Sequence, residues 1–261
     1  MRMALRVMWR FTRLVLHLLL GALLTLITAR RDRERGDYRY HRGLVSWWHE
    51  RLLVILAVEV EHLGHLPQPP ALLVSNHVSW LDIPVLGSLT HSNFLSKDEV
   101  RRWPVIGWLA AASGTLFIRR GAGEAGNIAK QIAAHLATDG LLTLFPEGTT
   151  TDGTEVRPFF PRLFSAAIET GAPVVPVALR YHIAGALDPV APYIGEQHLL
   201  VNLWGIISRP RTQVLVSYMP ALALVGVERK VAAEKARSQI ALALAAHAHN
   251  HQATPARHQA G

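Results

Sequence analysis

The chain has 261 residues, half of them hydrophobic and 18% charged, with a formal net charge of +8 and no cysteine. Its length supports one sizeable hydrophobic core, and its composition excludes a wholly disordered protein. The lack of cysteine excludes disulfide bonds, thiolate nucleophiles, iron–sulfur clusters and zinc sites built on cysteine.

The excess positive charge is concentrated at the N-terminus. Residues 1–42 carry ten arginines and three acidic residues, a balance of +7, whereas residues 43–261 carry 17 basic and 16 acidic residues. A nucleic-acid-binding protein would spread basic residues over a folded face or alternate them with aromatic residues. Here they surround an apolar segment, so the sequence indicates anionic membrane lipids, and no nucleic acid, as the partner.

Two apolar helices are predicted within residues 1–63. The least polar run of the first, residues 14–29, is about 24 Å long as a helix, shorter than the ~30 Å needed to span a bilayer. The second, over residues 43–63, has two tryptophans suited to the headgroup level but also acidic residues. We predict a membrane-associated helical hairpin lying in one leaflet; the alternatives are one true span and two helices that only pack on the following domain.

Strand and helix patterns alternate after the proline-rich segment 66–70. Strands are predicted over residues 71–75, 94–96, 115–118, 141–145, 174–179 and 214–218, and helices over residues 83–89, 100–112, 124–138, 161–170 and 228–246. This alternation predicts an α/β fold with a mostly parallel sheet flanked by helices. The predicted organisation is residues 1–63 as anchoring helices, 64–225 as the main domain, and 226–261 as a C-terminal helix and tail.

A polar segment that contains His77 and Asp82 follows the first strand of this domain. Ligands collect at the carboxyl ends of strands in such sheets. An aspartate there can hold the Nδ1–H of a histidine while Nε2 accepts a proton from a substrate hydroxyl. The pair then needs no protein nucleophile, because the substrate alcohol supplies it. The alternative is a pair that only caps the helix.

Further polar segments follow other predicted strands. Residues 145–153 contain an acidic residue, glycines and hydroxyl groups, and residues 114–120 end in two arginines. Lys97 follows a third strand, and such cations suit a phosphate or a carboxylate. The sequence therefore predicts a base, an acidic hydroxyl-rich loop and a cationic cluster at strand ends.

Four motifs in this order resemble those of the glycerophospholipid acyltransferases of the 1-acyl-glycerol-3-phosphate acyltransferase type. They are Asn-His-x4-Asp at 76–82, Gly-x-x-Phe-Ile-x-Arg at 114–120, Phe-Pro-Glu-Gly-Thr-Arg at 145–150 with Thr150 in place of the arginine, and Val-Pro-Val at 175–177. One such motif is weak, but four in order are specific. The resemblance covers roughly residues 66–185 and identifies residues 64–225 as an acyltransferase domain.

The resemblance implies that His77 is the general base and that Asp82 orients it. It implies that a lyso-lipid hydroxyl attacks an acyl thioester, with acyl-CoA or acyl carrier protein as donor and no further cofactor. It also implies that Arg120, with Lys97 as the second candidate, binds the acceptor phosphate. Glu147, Gly148 and Thr149 would shape the acceptor pocket, and Pro176 the strand beside it.

Thr150 departs from the family, which has arginine at this position of the Glu-Gly-Thr-Arg motif. The missing cation affects the predicted acceptor, which by default is 1-acyl-glycerol-3-phosphate (lysophosphatidic acid), giving phosphatidic acid in phospholipid biosynthesis. Acyltransferases that complete ornithine lipids have a similar Glu-Gly-Thr-Thr form, and their acceptor lacks a phosphate. A lyso-ornithine lipid is therefore the alternative acceptor, and a non-catalytic membrane lipid-binding protein is the alternative of another class.

Several other signals are discounted. Residues 121–126 match a dinucleotide fingerprint, but a nicotinamide enzyme would leave residues 76–82 unexplained. Alternating histidines near the C-terminus are more typical of a solvated end than of a metal site, so no metal is predicted. The chain has no Gly-x-Ser-x-Gly hydrolase motif. Because thioester donors are cytosolic, the predicted location is a bacterial inner membrane with the catalytic domain on its cytoplasmic face; no pattern predicts an oligomeric state.

Overall fold

A computed structural model describes residues 2–35, 39–118, 124–138 and 140–252 of the chain. The helices are α1 (Arg2–Arg35), α2 (Arg39–Leu56), α3 (Asp82–Leu89), α4 (Asp98–Arg101), α5 (Ile106–Ala112), α6 (Glu124–Ala137), α7 (Ser165–Thr170), α8 (Leu199–Ser208) and α9 (Arg229–Gln252). The strands are β1 (Val58–Leu63), β2 (Ala71–Ser75), β3 (Asn93–Lys97), β4 (Leu116–Ile118), β5 (Leu141–Leu144), β6 (Val174–Ile183), β7 (Ala186–Leu187) and β8 (Thr212–Tyr218). A 3-10 turn, Pro161–Phe164, precedes α7.

The described strands form one sheet in the order β1-β8-β6-β2-β5-β3-β4, with β7 paired to the end of β6. From β6 to β4 every neighbouring pair is parallel, whereas β8 runs antiparallel to β6. The central strands β2 and β5 are buried along their whole length, as expected for strands covered on both faces. The predicted α/β fold with a mostly parallel sheet is confirmed.

Two apolar cores cover the two faces of the sheet. One core joins buried side chains of α1, α2, α3 and α8 to the sheet, and the other joins those of α6, α7 and α9. The sheet is therefore a middle layer between two helical layers. Because α9 contributes Ala232, Ala236 and Ile240 to the second core, it belongs to the main domain rather than standing apart from it.

The predicted boundary at residue 63 is wrong in one respect, because residues 58–63 form the edge strand β1 and not the end of the second helix. Val58 and Val60 alternate with Glu59 and Glu61, which is the period of a strand with one buried face. β1 pairs in parallel with β8, and Glu59 lies near Arg211 of the loop before that strand. The second helix therefore ends at Leu56.

The first helix has an exposed apolar surface. Within the described residues, one segment, Met3–Thr28 of α1, is long and apolar enough to cross a membrane by length and composition. Val7 and Leu14 face the core, whereas the side chains on the other faces of this segment are exposed and mostly apolar. The predicted apolar N-terminal helix is confirmed, and its depth in a membrane stays a prediction.

The arginines at the start of α1 have partners that the sequence did not predict. The guanidinium of Arg6 donates a hydrogen bond to the carbonyl of Ser208 at 3.0 Å, and Arg10 donates to the carbonyls of Ile207, Arg209 and Pro210 at 2.6–3.1 Å. These carbonyls lie at the C-terminal end of α8, where unpaired backbone oxygens and the helix dipole attract cations. Both side chains therefore bind the protein itself.

Candidate active site

His77 and Asp82 form a hydrogen-bonded pair at the carboxyl end of β2. The Nδ1 atom of His77 lies 2.7 Å from Oδ2 of Asp82. The segment between the strand and α3 turns back so that the aspartate, the first residue of α3, faces the histidine five positions before it. The predicted pairing is present, and it leaves Nε2 as the ring nitrogen available to a substrate.

Three additional donors hold the Asp82 carboxylate, which is fully buried. Oδ2 accepts the backbone N–H groups of Val78 at 2.7 Å and Ser79 at 3.0 Å, and Oδ1 accepts the phenol of Tyr181 at 2.8 Å. Burial and the negative charge of Asp82 raise the pKa of Tyr181 well above its usual range. The phenol therefore stays protonated and donates to the carboxylate at any physiological pH.

The His77 ring is held on its face and at its backbone. The ring of Phe145 stacks on it, with centroids 4.0 Å apart and planes at 15°. The backbone N–H of His77 donates to Oε1 of Glu147 at 2.8 Å, and its carbonyl accepts the N–H of Thr151 at 2.8 Å. Nε2 has no hydrogen-bond partner among the described residues, and 19% of the side chain is exposed. This geometry suits a general base that reaches a bound hydroxyl.

Glu147 connects two segments of the site through its carboxylate. Besides the N–H of His77, it accepts the backbone N–H of Arg157 at 2.9 Å through Oε2. Burial raises the pKa of Glu147, while the N–H bonds from Arg157 and His77 oppose that rise. The carboxylate thus holds the backbone of the base, and its predicted contact with the acceptor stays a prediction.

Gly148 and Thr149 lie in the turn that follows Glu147. Gly148 has a φ of +67°, and a Cβ there would lie 2.6 Å from the ring of Phe160, so the turn requires glycine. Thr149 is half-buried beside it. Both residues directly follow Glu147, which binds the backbone N–H of His77, and their predicted contact with the acceptor stays a prediction.

The neighbouring strand β6 is tied to the site by Asn76. Its side-chain amide donates to the carbonyl of Leu179 at 2.9 Å and accepts the N–H of the same residue at 2.8 Å. Pro176 lies three residues before Leu179 in β6, where it is buried and in register with Val74 of β2. Pro176 is therefore inside the sheet, whereas residues 76 and 179 mark the edge at which the site lies.

The cationic side of the site is described only in part. Lys97 ends β3, and the register of β3, β5 and β2 places it at the level of Asn76, two strands away. Two strand spacings correspond to about 10 Å. Arg120 lies outside the described residues, which end at Ile118 before this gap. The structure thus places Lys97 at the same edge as His77, and the binding role of each cation stays a prediction.

Two contacts connect the site to α8 and to the segment before it. The hydroxyl of Thr150 donates a hydrogen bond to the carbonyl of Tyr193, whose N–H donates to the carbonyl of Val78 at 2.9 Å. The indole N–H of Trp80 donates to Oδ1 of the buried Asn202 of α8 at 2.8 Å. The hydroxyl that replaces the family's arginine therefore has a structural partner.

The sequence analysis missed two side chains that shape the dyad. Tyr181 is 99 positions from Asp82 and lies at the level of the site because β6 extends to Ile183. Phe145 lies within a recognised motif, but nothing in the motif indicated that it stacks on His77. A signal for Tyr181 was its position two residues after the apolar run 174–179, on the same face of an extended strand as Leu179, since a buried phenol usually finds a hydrogen-bond partner.

Comparison with known proteins agrees with this geometry. A family model described as Acyltransferase matches residues 57–180. The lyso-ornithine lipid O-acyltransferase of Pseudomonas aeruginosa is 41% identical over 92% of this chain and 94% of its own length. The 1-acyl-sn-glycerol-3-phosphate acyltransferase of Neisseria meningitidis serogroup B is 32% identical over 64% of this chain and 67% of its own length.

A solved structure has the same fold. The crystal structure of the 1-acyl-sn-glycerophosphate acyltransferase from Thermotoga maritima superposes with a TM-score of 0.67 at 19% identity, covering 94% of this chain and 97% of that one. At this identity the likeness concerns the fold alone. The two relatives found by sequence are acyltransferases, so they support the activity as well as the fold. The chain therefore belongs to the acyltransferase family and is an enzyme of the kind that acylates lysophospholipids and related lyso-lipids.

Proposed function

We propose that this protein transfers a fatty acyl group from a thioester to the hydroxyl of a lyso-lipid, with His77 as the general base. The observation that carries the proposal is the 2.7 Å contact between His77 Nδ1 and Asp82, combined with a partly exposed ring whose Nε2 has no partner among the described residues. A thioester needs no metal or redox cofactor to react with an alcohol, so none is proposed.

The proposed reaction begins when Nε2 of His77 accepts the proton of the lyso-lipid hydroxyl. The alcohol oxygen forms a bond to the thioester carbonyl carbon, and the carbon–sulfur bond then breaks. The thiolate leaves and takes the proton back from the imidazolium. Asp82 stabilises the imidazolium while it exists, and positioned bases of this kind contribute about 10²–10⁴-fold in rate.

The first acceptor to test is a lyso-ornithine lipid. Support comes from the relative that is 41% identical over nearly the whole chain and from Thr150, a neutral residue where the related motif has an arginine that could help hold a phosphate. Lysophosphatidic acid, the acceptor first expected from the sequence, is the second candidate. It is supported by the Neisseria relative and by Lys97, which lies at the same sheet edge as the base.

The proposed location is the cytoplasmic face of a bacterial inner membrane. The exposed apolar surface of α1 supports membrane attachment, and the cytosolic origin of thioester donors supports the face. Acyl-CoA and acyl carrier protein remain the two candidate donors. If no turnover is found, the favoured alternative is a membrane-bound lipid-binding protein without catalytic activity.

The acceptor is tested by comparing three forms of the protein in membranes: the wild type, Thr150→Arg and Thr154→Arg. The last is a matched control that adds the same charge at an exposed position four residues away. Each form receives a labelled acyl donor, either acyl-CoA or acylated acyl carrier protein, together with one of the two acceptors. The labelled diacyl product is then measured. We expect the wild type to favour lyso-ornithine lipid and Thr150→Arg alone to shift the ratio towards lysophosphatidic acid.

Equal use of both acceptors by the wild type, or the same shift in Thr154→Arg, would contradict the role given to Thr150. Product from lysophosphatidic acid alone would make that lipid the acceptor. Headgroup binding without product from any lyso-lipid and either donor would contradict the catalytic proposal itself.

A further inference from the structure

Helix α8 exposes an unusually apolar outer face. The side chains of Leu200, Val201 and Trp204 are 73%, 60% and 58% exposed, while Ile206 and Ile207 on the opposite face are buried in the core. The helix contains no charged residue. A helix that is apolar all round is expected inside a core or against lipid, and this one is covered on a single side.

The uncovered face belongs to a helix that contacts α1 directly. Arg6 and Arg10 of α1 bind the carbonyls at the C-terminal end of α8, from Ile207 to Pro210. These bonds lie across a sequence separation of about 200 residues, so they fix the two helices against each other. The exposed apolar surface of α1, which includes Met8 and Phe11, is therefore continued by a neighbouring helix.

The type of residue on this face suits lipid. Tryptophan is favoured at the level of the headgroups because its ring is apolar and its N–H is polar. The exposed Arg211, just past the end of α8, is paired with Glu59 at 3.4 Å, so it is the apolar side chains and the tryptophan that favour lipid. A second copy of the chain is a poorer occupant, because three side chains are a small part of the roughly 800 Å² per partner that a stable dimer buries.

The opposite side of α8 reaches the catalytic motif. The amide oxygen of Asn202 accepts the indole N–H of Trp80, and its amide nitrogen donates to the carbonyls of Val190 and Pro192 at 3.0 Å. Trp80 lies between His77 and Asp82 in the chain. An element that contacts lipid on one side would therefore hold the base on its other side at the membrane surface.

We propose that α8 is a second lipid-contacting element, with Leu200, Val201 and Trp204 in the same leaflet as the apolar face of α1. The inference rests on one part of the proposed function, namely that the protein is attached to a membrane. It adds that the leaflet contacts the catalytic domain itself, next to the motif that carries His77. A lyso-lipid would then meet the base without leaving the membrane surface.

The absence of native cysteine allows a direct test with single cysteines in the full-length protein. Leu200→Cys and Trp204→Cys carry an environment-sensitive dye in vesicles of phosphatidylethanolamine and phosphatidylglycerol. Leu19→Cys on the exposed face of α1 is the reference, and Leu242→Cys, equally exposed on α9, is the matched control. Emission, quenching by brominated lipid and quenching by aqueous iodide are recorded with and without vesicles.

We expect the dyes at positions 200 and 204 to shift to shorter wavelength, to be quenched by brominated lipid and to lose iodide quenching, as at position 19. The dye at position 242 should stay aqueous. Aqueous behaviour at 200 and 204 with lipid contact at 19 would overturn the inference and leave the anchor intact. If the dye at position 19 also stays in water, both the role of α8 and the membrane contact of α1 would be overturned. A shift at 200 that appears without vesicles and depends on protein concentration would identify a second copy as the occupant.

The fluorescence measurement needs no substrate, so its failure is distinguishable from a failure of the proposed function. An active protein with aqueous dyes at 200 and 204 would contradict only the role of α8. Lipid contact at these positions in an inactive protein would contradict only the catalytic proposal.

Discussion

Replacing Asp82 with asparagine removes one negative charge and changes the shape of the site very little. The amide oxygen can still accept from His77 Nδ1, Val78 and Ser79, and the amide N–H then faces the oxygen of Tyr181. The fold should therefore survive, and the loss of a buried carboxylate offsets part of the weakened hydrogen bonding. The effect is expected on the reaction.

Its magnitude follows from the attraction between the carboxylate and the imidazolium that forms when His77 takes a proton. For charge centres about 4 Å apart this attraction is about 4 kcal/mol at an effective dielectric constant of 20. Solvent at the partly exposed ring of His77 screens it, so we take about 2–4 kcal/mol. That range corresponds to a rate loss of roughly 30- to 1,000-fold.

The assay is the initial rate of diacyl product formation at saturating thioester, with circular dichroism and thermal unfolding as checks on the fold. Asp98→Asn, a carboxylate at the start of α4, is the matched control and should retain activity. A loss smaller than about tenfold in well-folded Asp82→Asn would refute the account of Asp82 as the partner of a protonated His77.

Three further outcomes are expected, the first at the site and the other two where α2 packs against α3. Tyr181→Phe leaves Oδ1 of Asp82 without its donor, so we expect a loss of about 1.5–3 kcal/mol in unfolding free energy and a lower kcat at unchanged KM; an altered KM alone would argue against a positioning role. Gly87→Ala should cost about 1–3 kcal/mol in unfolding free energy, because a Cβ there overlaps the ring of His49, and adding His49→Ala should restore part of the loss; no recovery in the double variant would contradict this packing. Burial lowers the pKa of His49 from 6.5 to about 4, so the unfolded chain binds a proton that the folded protein does not; stability should therefore fall as the pH drops from about 6.5 towards 4, by up to about 3 kcal/mol. Thermal unfolding between these pH values should show a shallower slope in His49→Gln, and an unchanged slope would show that another group is responsible.

The sheet and the position of the site were predictable because they follow from local patterns. Short apolar runs separated by helical patterns predict a parallel sheet, and polar residues directly after such runs lie at its carboxyl edge. His77 and Asp82 are five positions apart, so their pairing needs only a turn at the end of β2. These features depend on contacts within a short stretch of chain.

The features that escaped prediction depend on contacts between distant parts of the chain. Tyr181 meets Asp82 because β6 is longer than its aliphatic run suggested and lies beside β2. Arg10 meets the end of α8 across some 200 residues, and helical periodicity alone indicates only that it lies on a cationic face. Residues 58–63 follow an apolar helix directly, so the sequence pattern alone predicts that the helix continues through them.

The central claim is that Nε2 of His77 accepts the proton of the lyso-lipid hydroxyl, and the most direct measurement is product formation by His77→Ala. His65→Ala, which removes an exposed histidine, is the matched control. Both variants are compared with the wild type in membranes that contain equal amounts of folded protein, with the acceptor and donor that the wild type uses. The account predicts a loss of about 10²–10⁴-fold for His77→Ala and none for His65→Ala. Wild-type rates of product formation by folded His77→Ala would contradict it.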